Sequence, residues 1–315
     1  MNYRFKSRLL VVFTIAVFLC CACSRRSPAS QAFSKPPAAR PLVVVSILPQ
    51  SWFVSRVGGD RVDTMVLVGP GQDPHNYEPS PRQMQDLAKA GVWILSGTEF
   101  EISLKPKISA LFPKLPLVDG TAGVRFRSLE EDDEPQAAGT THSLQNKAEG
   151  LDRHTWLGEE PAKIMAAHIR DTLSIVDPEG ATLYEANYAA LIGDIEGEFA
   201  RLREALAPLK GSTAFVYHPA FGYFLDEFGI EQRAIEAGGK EPGPRDILRI
   251  LDDVRREGAR VIFVQAQFPV ETARSAANAA GVTVASLDPL AEDWLANIRS
   301  MGAVLRDAAL QGAKE

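Results

Sequence analysis

A chain of 315 residues, 45% hydrophobic and 23% charged, has apolar matter for two core-forming lobes and is too rich in it for a disordered polymer. Its formal charge of −6 and lack of any basic run in the body of the chain exclude the electrostatics of a nucleic-acid binder. All three cysteines, Cys20, Cys21 and Cys23, fall near the N-terminus, which excludes an internal disulfide framework.

Arg4, Lys6 and Arg8 precede the apolar run from Leu9 to Ala22. Residues 1–22 therefore read as a signal peptide, too short to span a bilayer comfortably. Cys23 is the expected lipid acceptor, with small Ala22 before it and the polar Ser24-Arg25-Arg26-Ser27 after it. The pattern resembles a bacterial lipobox, although Cys20 stands where leucine is usual and Cys21 competes with Cys23. Residues 23–40, rich in Ser, Pro and Ala, read as a flexible tether. An exported chain held to the membrane by that lipid is the expectation.

Strand-like and helix-like segments then alternate, which predicts an α/β fold with parallel sheets. Residues 41–176 read as a first lobe. Its strands are Leu42–Ile47, Thr64–Val68, Val92–Leu95 and Leu117-Val118; its helices are Gln50–Val57, one opened by Ser80-Pro81 and running to Ala90, Glu101–Leu111 and Pro161–Val176. Within it, residues 128–150 break the rhythm with the acidic block Glu130-Glu131-Asp132-Asp133-Glu134, expected as a surface loop. Residues 177–210 read as one long linker helix with the apolar stripe Tyr188, Ile192, Ile195, Phe199, Leu202 and Leu206. About thirty residues would make a rod of roughly 45 Å, long enough to bridge two lobes. Residues 211–315 read as a second lobe. Its expected strands are Thr213–Tyr217, Arg233–Ile235, Val261–Val264 and Val282–Ser286. Its expected helices are Phe221–Phe228, Pro244–Glu257, Glu271–Ala280 and Asp293–Leu310.

Four residues stand out against this frame. His75 lies in Asp73-Pro74-His75-Asn76-Tyr77-Glu78-Pro79-Ser80-Pro81, His154 in Asp152-Arg153-His154-Thr155-Trp156-Leu157, His218 in Tyr217-His218-Pro219, and Asp288 in Leu287-Asp288-Pro289. Three of them follow strands, and open α/β sheets bind ligands beyond the carboxyl ends of their strands. Neighbouring prolines stiffen the loops. Each alone is weak evidence, since single histidines and Asp-Pro pairs are commonly structural. Three imidazoles and a carboxylate, two from each lobe, fill a tetrahedron suited to Zn²⁺ and less to oxygen-preferring Mn²⁺.

The stretches Gly71–Pro81, His154–Leu157, Tyr217–Phe224, Gly238-Gly239-Lys240-Glu241-Pro242 and Leu287–Leu290 resemble, in order, the motifs of zinc/manganese solute-binding proteins of ABC transporters. The resemblance covers residue 42 to the C-terminus. It implies two pseudo-symmetric lobes, a rigid linking helix, one metal between the lobes, and delivery to a membrane permease with its ATPase. A histidine at the third ligand position, here His218, goes with zinc in that family, and a glutamate with manganese. Arg153 departs from the family's Asp-Pro-His, and the 128–150 insert holds the single histidine His142 where zinc members often carry many. Glu241 is a candidate for orienting a ligand, with a surface or capping role as the alternative.

The reading is thus a monomeric, non-enzymatic Zn²⁺ carrier. A manganese- or iron-binding member of the same family is the alternative, and a zinc hydrolase a more distant one. The chain lacks the His-Glu-x-x-His signature of many zinc hydrolases and the Gly-x-x-x-x-Gly-Lys-[Ser/Thr] loop of an ATPase.

Overall fold

The computed structural model describes residues 40–129, 150–236, 252–265, 267, 274, 277–278 and 281–312. The leader with Cys23, most of the 23–40 tether, nearly all of the 128–150 insert, Glu241 and most of the helices expected at 244–257 and 271–280 lie outside these residues.

Two parallel sheets of four strands each carry the fold. The first contains β1 (Leu42–Ile47), β2 (Asp63–Val68), β3 (Val92–Leu95) and β4 (Leu117–Asp119), in the order β2-β1-β3-β4. The second contains β5 (Thr213–Val216), β6 (Glu231–Ala234), β7 (Val261–Val264) and β8 (Thr283–Ser286), in the order β6-β5-β7-β8. The orders are the same arrangement used twice, which makes the lobes pseudo-symmetric. β1 is fully buried from Val43 to Ile47, so it reads as a continuous apolar run rather than an alternating one.

Helices flank the sheets: α1 (Leu48–Gly58), α2 (Pro81–Leu87), α3 (Glu99–Leu111), α4 (Glu159–Val176), α5 (Ala181–Leu206), α6 (Gly222–Asp226) and α7 (Trp294–Gly312). Gln50 at the start of α1 closes the crossover point of the first sheet. Its Oε1 accepts from the Ser46 N–H at 2.9 Å and its Nε2 donates to the Leu95 carbonyl at 3.1 Å. The ends of β1 and β3 are thereby joined by one side chain.

The linker helix is shorter than the sequence suggests. α5 has 26 residues, about 39 Å at 1.5 Å per residue. Tight 3-10 turns at Pro178–Gly180 and Ala207–Leu209 take over its two ends; at the C-terminal one, Pro208 has no N–H to continue the α-helical ladder. Its buried face is Tyr184, Leu191, Ile195, Phe199, Leu202 and Leu206; Tyr188 and Ile192 sit at the margin. α5 packs on α1 and α4 and also on α7. One apolar core therefore runs from the strands of the first sheet through α5 to Trp294 and Leu305 of α7. A smaller cluster around Phe215, Ile235 and Ile262 packs apart from it. Buried Glu198 of α5 accepts from Arg299 of α7 at 2.6 Å, a second tie between linker and C-terminal helix.

Candidate metal centre

His75 stands in a 3-10 turn, Pro74–Asn76, six residues beyond the end of β2. Asp73 caps that turn by accepting from the His75 N–H at 2.9 Å. The far end is fixed by Ser80 and Gln83. The Gln83 N–H donates to Ser80 Oγ at 3.3 Å, and Gln83 Nε2 reaches back to the Leu67 carbonyl at 2.8 Å. The Ser-Pro start of α2 is as the sequence suggests, but the helix stops at Leu87, where the Gly91 N–H turns away to the Leu42 carbonyl.

His154 opens the 3-10 turn Thr155–Leu157. Asp152 Oδ1 accepts from both the His154 N–H and Nδ1, each at 2.9 Å. Its other oxygen takes Arg127 Nη1 at 2.9 Å. Groups of the second lobe hold this loop from both sides. The Tyr223 hydroxyl donates to the Asp152 carbonyl and accepts from the Arg127 N–H, both at 3.1 Å. Trp156 Nε1 donates to the Pro289 carbonyl, and Trp294 Nε1 to the Trp156 carbonyl, both at 2.7 Å.

His218 lies two residues beyond the end of β5, and Gln265 Nε2 donates to its carbonyl at 2.8 Å. Its Nδ1 lies 3.1 Å from Glu236 Oε2. Glu236 comes just after β6, the neighbour of β5 in the sheet.

The three imidazoles meet. Their ligand atoms lie within 4.8 Å of one another, and His75 Nε2 is 3.1 Å from His218 Nε2. A zinc tetrahedron with arms of ~2.0–2.1 Å has edges of about 3.3 Å, so the spacing fits one cation. Each Nδ1 faces a carboxylate: Glu99 at 3.3 Å for His75, Asp152 for His154, Glu236 for His218. Those contacts place the protons on Nδ1 and turn the Nε2 lone pairs inward, the arrangement of carboxylate–histidine–metal sites. Two facing nitrogens at that separation call for a proton or a metal cation between them.

Charge follows this geometry. Burial alone would lower the His75 pKa, but the Glu99 carboxylate outweighs it and the net shift is upward. At His218 burial dominates, reinforced by its two histidine neighbours, and the pKa falls despite Glu236. Burial would raise the Glu99 carboxyl, but the hydrogen bond and charge of His75 bring it down to about 2. Asp152 is likewise lowered, burial being overcome by His154 and Arg127.

Asp288 is not brought into this group. It follows β8, and its Oδ1 accepts from Gln267 Nε2 at 3.0 Å and the Leu290 N–H at 2.9 Å. Among the described residues, the ligand atoms that cluster are those of the three histidines. Gln267 lines the same small cavity, and its Oε1 is buried without a partner among the described residues. That cavity, bounded also by Pro74, Trp156, Pro289 and Leu290, has a volume of about 20 Å³. This is room for one ion or one water. His168 is apart from the site, with its Nε2 2.8 Å from the Ala122 carbonyl.

Sequence reasoning missed the three carboxylates. Asp152 was visible as an Asp two residues before a histidine, a pattern of local turn capping. Glu236 and Glu99 follow β6 and β3 at the carboxyl edges of the sheets, but strand order was needed to aim them at their histidines.

The sequence matches, over residues 43–308, the family described as zinc-uptake complex component A, periplasmic. A protein of Chlamydia muridarum described as metal-binding is 26% identical over 271 residues, covering 84% of this chain and 90% of that protein. Zinc-binding protein AdcA of Streptococcus pyogenes serotype M3 is 27% identical over 257 residues; the match takes 79% of this chain but 50% of that longer protein. The crystal structure of ZnuA superposes with a TM-score of 0.75 at 30% identity, covering 85% of this chain and 98% of that one. The chain belongs to the zinc-uptake component A family, metal-binding periplasmic components of ABC importers, and is a solute-binding protein rather than an enzyme.

Proposed function

We propose that the protein captures one Zn²⁺ among His75, His154 and His218 outside the cytoplasmic membrane and hands it to a permease driven by a separate ATPase subunit. The observation that carries this is the pair of Nε2 atoms 3.1 Å apart, each imidazole backed by a carboxylate. Three neutral nitrogens favour zinc over manganese, and the zinc-binding name of AdcA supports the choice. Asp288, after leaving Gln267, or a water held by the Gln267 amide oxygen, would complete the fourth position. Lipid on Cys23 would keep the carrier, acting as a monomer, near its permease.

Competitive titration of the metal-stripped protein tests the cargo. Zinc is expected to bind at least about a hundredfold more tightly than manganese, as nitrogen-rich sites do. Equal or tighter manganese binding would assign the protein to manganese instead, with Asp288 as the oxygen ligand.

Protons compete with the cation for the imidazole lone pairs. The sign is therefore fixed: zinc affinity is expected to fall as pH drops from about 7.5 to about 5.5. His75, with its pKa raised, takes up its proton before His218, whose pKa is lowered. Isothermal titration across that range checks this; a flat profile would show that imidazoles do not hold the metal.

A further inference from the structure

The geometry points to Glu99 as the positioning residue that sets how firmly His75 holds the cation, and to His75 as the ligand through which the cation is exchanged. This rests on the three-histidine reading above. The three carboxylates behind the imidazoles differ in how they are held. Asp152 and Glu236 are buried, with side chains 0% and 5% exposed, whereas Glu99 is 37% exposed. The imidazoles follow the same ranking: 25% exposed for His75, against 9% and 6% for His154 and His218. Solvent therefore reaches the centre from one side.

Glu99 is also shared. Its Oε2 faces His75 Nδ1 at 3.3 Å, while its Oε1 faces Arg153 Nε at 3.9 Å. The Arg153 guanidinium is itself fixed, donating from Nη1 to the Gly97 carbonyl at 2.9 Å. Gly97 can present that carbonyl because it sits at φ +84°, where an added Cβ would press on Thr121 at 3.0 Å. Glu99 thus stands between an imidazole and an anchored cation. A carboxylate on Nδ1 fixes the ring's tautomer and raises the basicity of the other nitrogen. A neighbouring guanidinium withdraws part of that effect and repels a divalent ion. Asp152 also meets an arginine, but it makes two hydrogen bonds to His154 and is fully buried. His75 is consequently the ligand least supported and most open to water.

The experiment measures zinc dissociation by stopped-flow chelator capture, with ¹⁵N NMR of the His75 ring in the metal-stripped protein. Glu99→Gln keeps an acceptor for Nδ1–H but removes the charge, and is expected to speed release about tenfold. Glu99→Ala removes both; it should approach the hundredfold end of the range for such partners, with the His75 ring moving to a mixture of tautomers. Arg153→Met removes the competing cation and is expected to slow release several-fold. A purely structural role would not give opposite signs at the two positions. Wild-type release and tautomer in Glu99→Ala would overturn the positioning role, and unchanged or faster release in Arg153→Met would overturn exchange at His75. If His75→Ala and His218→Ala both retain tight zinc, the three-histidine reading itself has failed, a distinct outcome.

Discussion

Replacing His218 with alanine is expected to weaken zinc binding by roughly 10²–10³-fold, a quarter to a third of the free energy of a site of this kind. The variant removes one of the two Nε2 atoms that face each other at 3.1 Å. It also leaves Glu236, whose side chain is 5% exposed, as a buried carboxylate without its imidazole, which costs stability as well. His75→Ala separates the two effects. Its imidazole and its partner Glu99 are both more open to water, so affinity should drop comparably while the unfolding midpoint of the stripped protein moves little. Competition against a fluorescent chelator, paired with denaturant unfolding, reads both quantities. Zinc affinity within tenfold of wild type in both variants would remove the histidines from the site.

Trp294→Ala should be the most damaging single change to the fold, at about 3–5 kcal/mol. The indole is fully buried, with its ring centre 4.9 Å from that of Phe53 of α1 and 6.3 Å from that of Phe199 of α5. It is the point where first lobe, linker and C-terminal helix share one core. Its Nε1 donates to the Trp156 carbonyl at 2.7 Å, two residues from His154, so the loss should loosen the metal loop as well. Trp294→Phe keeps most of the packing and removes the donor, and is expected to cost about 1–3 kcal/mol for the unsatisfied carbonyl. Urea unfolding of the stripped protein measures both; a cost below about 1 kcal/mol for the alanine variant would show that the lobes do not depend on this contact.

Much of the architecture was legible because its signals are local. Apolar runs such as Val43–Ile47 and Val261–Val264, prolines beside His75 and His218, and the Ser-Pro start of α2 all encode structure within a few residues. The extent of α5 was read too long because the expected range took in Pro178–Gly180 and Ala207–Leu209, which form 3-10 turns at its two ends. The three histidines that meet were legible as residues of proline-stiffened or turn-forming loops. The placing of Asp288 was not, because its carboxylate is taken by Gln267 and the Leu290 N–H, partners set by tertiary contact and turn shape. Glu99 and Glu236 were invisible for a related reason. Each is near its histidine only after parallel pairing brings separate strand ends to one edge.

The loop carrying His154 is fastened by Tyr223, Trp294 and the Pro289 carbonyl, none of which needs cargo to make its bond. The halves are thus tied by bonds that involve no ion, so loading is expected to change the outline of the molecule little, and scattering profiles of stripped and zinc-loaded protein would check it. Under the proposed function, a membrane receptor would then tell full carriers from empty ones by a handful of rim side chains, His75 and Glu99 foremost, rather than by the angle of a jaw.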